Sequence, residues 1–303
     1  MSFIDRLDAA VEGKGTPAMV GIDPHLDLLP EEFSTARDER VHRADRARAL
    51  ERFCVELLDV VADRVAIVKP QSALFELLGA DGVRAFESVC AHARSAGLIV
   101  LGDVKRGDIA STASAYAEAY LSPDPKSGVP LCDAITVNPY LGRDTLDPFV
   151  DVCGETGGGI FVLVRTSNPG SDLFQHHGNP PLWSAVARSV DAVGERLLGA
   201  CGYSSIGAVV GGTHPRELAE IRAALPRTCF LVPGYGAQGA GAEDVVAAFP
   251  DRARPWRGAI VNSSRGIAFA WRKMEGVHWK DASSVALDEM IAELARVLET
   301  GRT

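Results

Sequence analysis

Eight short apolar runs rich in valine and isoleucine recur along the chain, and they constrain its fold more than any other feature. They lack strict alternation of apolar and polar residues, which is the pattern of strands buried on both faces of a parallel sheet. Parallel strands in turn need helical crossovers between them. The runs are residues 18–22, 65–68, 98–101, 134–137, 160–164, 206–210, 230–232 and 259–261.

Helical patterns lie between these runs. Apolar residues spaced at i, i+3, i+4 and i+7 form one stripe across residues 41–61 and another across residues 287–298. Eight such β units fit a closed barrel better than an open doubly wound sheet, where about five or six strands are usual. No linker interrupts the pattern, so the sequence predicts an α/β fold with one TIM (β/α)₈ barrel domain over residues 1–303.

Two segments rich in proline and glycine are too irregular for regular elements, namely residues 122–130 and 168–181. Long loops of this kind in a compact barrel are either lids or tolerated surface insertions. The second segment directly follows an apolar run, so we expect it on the catalytic face of the barrel.

Charge and composition narrow the classes of partner and the compartment. A formal net charge of −9 argues against nucleic acid or an anionic membrane surface, because no basic stripe is available to neutralise a row of phosphates. The six cysteines are spread without a CxxC pair, which favours a reducing compartment. No run reaches the roughly 18 apolar residues of a membrane span. We therefore expect a cytoplasmic protein.

Ionisable residues follow three neighbouring runs. Asp23 follows the first run, Lys69 the second, and Asp103, Lys105 and Asp108 the third. The carboxyl ends of barrel strands form the active-site face, so these groups should meet at one rim. Alternation along a strand predicts that Asp103 and Lys105 point the same way, with Asp108 on the turn beyond.

The string Asp103-x-Lys105-x-x-Asp108-Ile109 followed by Thr112 resembles the signature of the orotidine 5′-phosphate decarboxylases. The strings KRGDIAST and VNPYLGRD and the long loops resemble the longer bacterial branch of that family. Further matches follow other strands in the same order: Asp23, Lys69, Thr166 and Ser167, Pro233 and Gly234 with Gln238, and Arg265 with Gly266.

The resemblance implies decarboxylation of orotidine 5′-monophosphate to uridine 5′-monophosphate without metal or cofactor. Lys105 would stabilise charge at C6 of the pyrimidine and protonate it, while Asp103 would hold Lys105 beside the leaving carboxylate. Lys69 and Asp108 would complete an alternating network and, with Asp23, bind the ribose. The family resemblance also implies a homodimer in which Asp108 and Thr112 reach the neighbouring subunit's site.

The remaining matches imply contacts with the 5′-phosphate and the base. The loops after strands seven and eight of such barrels commonly bind phosphate, which suits Arg265, Gly266, Gln238 and the Gly234 loop. Thr166 and Ser167 would lie at the pyrimidine edge, with Ser167 bonding it, and Pro233 would wall the ring.

Particular residues bear on other kinds of site and on other kinds of barrel protein. Gly234 to Gly239 match G-x-G-x-x-G, but the chain left after them is too short for a dinucleotide-binding domain and offers no acidic partner. His176 and His177 lack the spacing of metal ligands. A magnesium-dependent sugar-phosphate decarboxylase or synthase of the same superfamily generally has a glutamate near strand two, where this chain has Lys69. A catalytically silent phosphate-binding barrel is the third alternative.

Overall fold

The closed parallel barrel expected from the apolar runs is present. A computed structural model describes residues 1–213, 215–236, 239–251 and 253–299. Its strands pair in the order β1 to β8, and β8 pairs with β1 to close the barrel. They are β1 Ala18–Ile22, β2 Ile67–Pro70, β3 Ile99–Arg106, β4 Ala134–Val137, β5 Gly159–Arg165, β6 Ser204–Val210, β7 Thr228–Val232 and β8 Ala259–Ser263.

Helices alternate with the strands and cover the barrel. The α-helices are α1 Phe3–Lys14, α2 Arg43–Val61, α3 Ser72–Glu76, α4 Gly79–Ser95, α5 Ala110–Leu121, α6 Asp147–Thr156, α7 Asp172–Gln175, α8 Leu182–Gly194, α9 Pro215–Ala224, α10 Ala242–Val245, α11 Arg265–Ala268 and α12 Trp279–Glu299. Short 3₁₀ helices are Leu26–Leu28, Glu31–Ala36, Arg143–Thr145, Pro169–Ser171, Glu195–Leu197, Val246–Ala248 and Ala270–Lys273. The two predicted stripes lie on α2 and α12.

Two apolar cores explain why the strands do not alternate between apolar and polar residues. One core lies between the strands and the surrounding helices, and the other fills the barrel interior. Each strand supplies at least one side chain to the interior, such as Met19 from β1 and Ile67 from β2. Both faces of each strand are therefore buried, as the valine and isoleucine runs predict.

An amino-terminal helix closes the bottom of the barrel. Phe3, Ile4, Leu7 and Val11 of α1 join the interior core, and the ring of Phe3 meets Phe161 of β5 edge to face. No helix or packing role was predicted for this segment from the sequence. Its apolar residues recur at helical spacing, which is the signal that indicates this packing.

Several predicted boundaries needed correction. β3 extends to Arg106, so Asp103 and Lys105 lie inside the strand and not beyond its end. Residues 122–130 join α5 to β4, so they lie on the face opposite the carboxyl ends of the strands. That position suits a surface insertion and not a lid over the catalytic face. Residues 168–181 do lie on the catalytic face and contain short helical turns, including α7. The single domain over residues 1–303 stays a prediction.

Candidate active site

A pocket of about 730 Å³ opens at the carboxyl ends of the strands. Its polar wall comes from positions two residues beyond the interior core: Lys69 follows Ile67, Asp103 follows Leu101, and Thr136 follows Ala134. Side chains two apart on a strand share a face, so these residues necessarily lie on top of the interior core. The pocket is lined by Asp23, His25, Lys69, Gln71, Asp103, Lys105, Thr136, Leu163, Thr166, Ser167, Asn168, Pro169, Val209, Leu231, Pro233, Gly234, Tyr235, Asn262, Ser264 and Arg265.

Four charged side chains alternate in sign along this wall. Lys105 Nζ donates to Asp103 Oδ1 at 2.5 Å, and Lys69 Nζ donates to Asp103 Oδ2 at 2.8 Å. Lys69 Nζ lies 3.7 Å from Asp23 Oδ1. Lys69 and Asp103 are buried, whereas the Lys105 side chain is 48% exposed and faces the pocket. Lys105 is therefore the cation of this network most accessible to a bound ligand.

Two neutral side chains also donate hydrogen bonds to Asp103, and neither was predicted from the sequence. Thr136 Oγ1 donates to Asp103 Oδ1 at 2.9 Å, and Gln71 Nε2 donates to Asp103 Oδ2 at 2.9 Å. Each carboxylate oxygen thus accepts two hydrogen bonds, which uses the full acceptor capacity of the group. The signal was available, because Gln71 lies two residues after Lys69 and Thr136 two residues after the interior Ala134.

Burial and the neighbouring charges shift the pKa values of Lys69 and Asp103 in opposite directions. Burial lowers the pKa of Lys69, but Asp23 and Asp103 outweigh it and raise that pKa above its ordinary value. Burial likewise raises the pKa of Asp103, but Lys69 and Lys105 outweigh it and hold that pKa well below its usual range. Both groups are therefore charged at neutral pH, as the alternating network requires.

The backbone at Lys105 departs from a regular strand. Its φ of +44° lies in the left-handed region, which is costly for a residue with a Cβ atom. The pairing of β3 with β4 shifts register between Gly102 and Arg106, and the amide of Lys105 donates to Thr136 Oγ1 at 2.9 Å. The predicted meeting of Asp103 and Lys105 is confirmed, but simple alternation was the wrong reason for it.

Not every expected residue joins the pocket of this chain. Asp108 and Thr112 lie beyond β3, outside the lining, and Asp108 Oδ1 accepts from the amide of Ile109 at 2.8 Å. The network within one chain consequently ends at Asp23 and not at Asp108. Gly266 lies on α11 and lines a neighbouring cavity together with Arg265. Gln238 lies outside the described residues.

The other expected residues meet across the pocket. Thr166 and Ser167 after β5 face Pro233 and Gly234 after β7, and Arg265 begins α11 after β8. The sequence analysis did not single out Asn262 of β8, which follows the interior Ile260 by two residues and lines the pocket. Asn262 Oδ1 is buried without a hydrogen-bond partner among the described residues, as is Asp23 Oδ1. Both residues line the pocket, and these two oxygen atoms are themselves shielded from solvent.

Gly21 of β1 leaves space for the side chains of Asn262 on β8 and of Ser264 directly after that strand. A Cβ atom there would be 1.9 Å from Ser264 Oγ and 3.1 Å from Asn262 Oδ1. We expect Gly21→Ala to lower the free energy of unfolding by about 1–3 kcal/mol, measured by urea denaturation, because the serine must move. Adding Ser264→Gly should restore part of that loss.

Gly13→Ala in α1 is the matched control, since a Cβ there would meet no atom within 4 Å. We expect it to be neutral or stabilising, by up to about 1 kcal/mol. An equal loss in both variants would contradict the steric explanation for Gly21.

Known proteins share both the sequence and the fold. Residues 20–275 match the model of the orotidine 5′-phosphate decarboxylase / HUMPS family. A relative named orotidine 5′-phosphate decarboxylase, from Rhodopirellula baltica, is 44% identical over 303 aligned residues, which cover 97% of this chain and 99% of the relative. This chain belongs to the orotidine 5′-phosphate decarboxylase / HUMPS family.

Other members of the family agree with this assignment. An orotidine 5′-phosphate decarboxylase from Clostridium perfringens is 39% identical, covering 89% of this chain and 90% of its own length. A crystal structure from Streptomyces avermitilis, described as a candidate orotidine 5′-phosphate decarboxylase, superposes with a TM-score of 0.79 at 35% identity and covers 98% of this chain and 96% of its own. These bacterial matches, nearly end to end, fit the longer bacterial branch expected from the sequence.

The described residues offer neither a membrane span nor a cluster of metal ligands. No helix in that part of the chain is long and apolar enough to cross a membrane. Within the same residues, no three His, Cys, Asp or Glu side chains converge in a way that could hold a metal ion. His176 instead lies 3.3 Å from Glu217 and 3.6 Å from Asp172, in a network below the loop after β5.

Proposed function

We propose that this chain is an orotidine 5′-monophosphate decarboxylase, a carboxy-lyase that forms uridine 5′-monophosphate in de novo pyrimidine biosynthesis. The observation that carries the proposal is the Asp103 carboxylate held between the ammonium groups of Lys69 and Lys105 at a pocket wall. A volume of about 730 Å³ suits a mononucleotide. Family membership supports the reaction, since the relatives carry this enzyme's name.

Lys105 meets the main electrostatic demand of this reaction. When the bond from C6 to the carboxyl carbon breaks, CO₂ leaves and the electron pair stays on C6, where no neighbouring carbonyl delocalises it well. A fixed cation beside C6 stabilises that developing charge. Lys105 Nζ then transfers a proton to C6 and regains one from solvent, so the reaction consumes one proton and requires no metal or cofactor.

Asp103 and Lys69 prepare the site for that step. Asp103 fixes the position of Lys105 Nζ, and the substrate carboxylate would lie against it. Repulsion between the two carboxylates is relieved as CO₂ departs, although positioning of Lys105 is the contribution supported by the contacts. Lys69 balances the charge of Asp103, and its neighbour Asp23, which lines the pocket, would bind a ribose hydroxyl.

The rest of the nucleotide fits along the remaining walls. We assign the 5′-phosphate to Arg265 and the adjoining Gly266, with the loop from Gly234 that includes Gln238, because the loops after strands seven and eight of such barrels bind phosphate. Thr166 and Ser167 would face the pyrimidine edge, and Pro233 would cover the ring. With the nucleotide in this orientation, C6 would lie beside Lys105.

Arg265→Ala should chiefly weaken substrate binding. A desolvated contact between phosphate and arginine is worth several kcal/mol, so we expect kcat/KM to fall about 10²- to 10³-fold, mostly through KM. Steady-state kinetics with orotidine 5′-monophosphate measure this. Arg188→Ala is the control, because Arg188 is an exposed arginine on α8 that lines neither the catalytic pocket nor the neighbouring cavity. Equal KM values for the two variants would remove Arg265 from the phosphate site.

We further propose a homodimer in which Asp108 and Thr112 complete the site of the partner subunit. Both residues lie outside the pocket of their own chain. Next to them the chain exposes large apolar side chains, with Ile109 58% and Tyr140 76% accessible to solvent. Such exposed apolar groups beside unused polar groups favour an interface at this face.

Mixing two inactive variants tests the shared site. Lys105→Ala supplies an intact Asp108, and Asp108→Ala supplies an intact Lys105, so a mixed dimer contains one complete site. After subunit exchange we expect about a quarter of wild-type activity, since half of the dimers are mixed and each has one of two sites intact. A mixture that stays inactive despite proven exchange would place Asp108 in its own chain's site.

The proposed reaction is tested by following orotate ultraviolet absorbance in chelator-treated protein mixed with orotidine 5′-monophosphate. Rapid loss of absorbance that EDTA does not affect supports the metal-free decarboxylase. No loss, together with activity on a sugar phosphate only after Mg²⁺ is added, assigns the chain to the rival branch of the superfamily. Binding of the nucleotide without any turnover supports the silent barrel.

A further inference from the structure

Arg165, at the end of β5, is a buried arginine that the proposed mechanism does not use. Its side chain is only 2% exposed, and it is among the largest fully buried side chains in the described residues. Nε donates to Glu217 Oε2 of α9 at 2.6 Å, and Nη2 donates to Asp172 Oδ1 of α7 at 2.6 Å. Two carboxylates thus compensate for removing the guanidinium from water.

A local irregularity of β5 turns Arg165 away from the pocket. Leu163 lines the pocket, so alternation would direct the side chain two residues later to the same side. The pairing of β5 with β6 shifts register between Leu163 and Arg165, however, and such bulges re-aim side chains beside active sites. The permanent cation is therefore displaced from the pocket, and Thr166 occupies the lining instead.

The same guanidinium holds the loop after β5. Its Nη1 donates to Ser171 Oγ at 2.5 Å and to Gln175 Oε1 at 3.2 Å. With the bond to Asp172, one planar group therefore binds three residues of the segment 171–175. Arginine presents its donors in a rigid fork, whereas a lysine ammonium could not span these partners together.

Gln175 transmits this attachment to the pocket lining. Its Oε1 accepts from the amide of Thr166 at 2.9 Å, and its Nε2 donates to Thr166 Oγ1 at 2.8 Å. Thr166 Oγ1 donates in turn to Asn168 Oδ1 at 2.7 Å. Thr166, Ser167 and Asn168 all line the pocket, but Arg165 and Gln175 do not. Arg165 therefore affects the pocket through the backbone and side chain of Thr166.

We propose that Arg165 is a positioning residue that fixes Thr166 and Ser167 against the pyrimidine of the substrate by binding residues 171–175 to the end of β5. This inference rests on the proposed function, because it takes the base to lie at Thr166 and Ser167. Its consequence is selective: loss of the attachment weakens recognition of the base and leaves the phosphate contacts at Arg265 intact.

Two variants test the attachment at different points. Arg165→Lys keeps the charge but loses the fork, and Gln175→Leu removes the amide that bridges to Thr166. Gln175 is a half-buried residue at the end of the short helix α7, so its variant tests the idea even where Arg165→Lys fails to fold. Arg222→Lys is the matched control, since Arg222 is also buried, lies on α9 with Glu217, and binds carbonyls at the opposite end of the barrel, including Gly258 O at 3.1 Å.

The affinities of uridine 5′-monophosphate and ribose 5-phosphate, measured by calorimetry, separate the outcomes. For Arg165→Lys and Gln175→Leu we expect the Kd of the nucleotide to rise about 10- to 100-fold, while that of ribose 5-phosphate changes less than about threefold. KM should rise by a larger factor than kcat falls, and Arg222→Lys should preserve both affinities.

Affinities that fall together for both ligands, or that do not change, would reduce Arg165 to a structural role. A similar selective loss in Arg222→Lys would show general loosening of the barrel and also overturn the inference. If wild-type protein fails to prefer the nucleotide over ribose 5-phosphate and does not turn over orotidine 5′-monophosphate, the proposed function itself is wrong. The two failures are thus distinguishable.

Discussion

Lys105→Ala is expected to lower kcat by at least about 10⁴-fold, because in the proposed mechanism it would remove both the cation beside C6 and the proton donor. The Lys105 side chain is 48% exposed and contacts the pocket, so its loss should change folding little. Because the proposed phosphate and ribose contacts lie on other loops, the affinity for uridine 5′-monophosphate should fall less than about tenfold. Single-turnover kinetics and calorimetry measure the two quantities.

Lys126→Ala is the matched control for this experiment. Lys126 is an exposed lysine on the loop between α5 and β4, on the opposite face of the barrel, and its removal should alter neither quantity. Near-normal turnover in Lys105→Ala would exclude Lys105 as the proton donor. Loss of nucleotide binding in parallel with turnover would instead make it a binding residue.

The barrel could be predicted from the sequence because its strands are buried on both faces. The runs at residues 18–22 and 134–137 coincide with β1 and β4. The predicted β3 was too short, because the charged residues Asp103 and Lys105 interrupt the apolar run. The burial of Asp103 depends on partners from β2 and β4, which a single strand's sequence does not reveal.

The candidate site could be predicted as a set of strand ends but not as a network. Lys69, Asp103 and Lys105 meet as expected, since parallel strands bring their carboxyl ends to one rim. The donors Gln71 and Thr136 were missed, because neutral polar residues after a strand are common in turns and carry little signal alone. Their relevance appears only when the register places them on Asp103.

Arg165 shows a different limit of sequence-based prediction. An arginine at a strand end would ordinarily be assigned to the surface or to the pocket. The burial of Arg165 against Glu217 follows from a bulge in β5, and no residue type in that strand indicates the bulge. Asp108 was predicted to complete the network, but within this chain it lies outside the pocket lining. Both outcomes depend on the register of the backbone, which no local residue pattern reveals.

Asp103→Asn is expected to impair stability and turnover together. The Asp103 side chain is only 8% exposed, and it compensates for the charge of Lys69, which is 5% exposed. Removing one partner of a buried ion pair typically costs about 3–5 kcal/mol, so we expect a loss of that size in the free energy of unfolding at pH 7. Turnover should fall on the order of 10³-fold, because Lys105 loses the carboxylate that positions it.

Asp133→Asn is the control for the loss of activity. Asp133 is also a largely buried carboxylate, 2.9 Å from Arg6 and 3.6 Å from Arg94, but it lies outside the pocket lining. This variant should lose stability and keep wild-type turnover per folded molecule. An equal loss of turnover in both variants would indicate that the Asp103 effect is a general consequence of a weakened fold.

The pH dependence of stability gives the sharper test of Asp103. Burial alone would raise the folded-state pKa of Asp103, but the charges of Lys69 and Lys105 outweigh burial and lower it. The stabilising contribution of Asp103 is therefore present above its unfolded pKa of about 3.9 and is lost as pH falls. The pKa of Lys69 is raised, so its contribution is complete below about pH 10 and is lost only as pH rises further. The stability difference between wild type and Asp103→Asn should therefore be flat from about pH 5 to 9 and shrink below about pH 4. A variant that is more stable than wild type at neutral pH would show instead that the unliganded network is strained, with Asp103 retained for catalysis at the expense of folding.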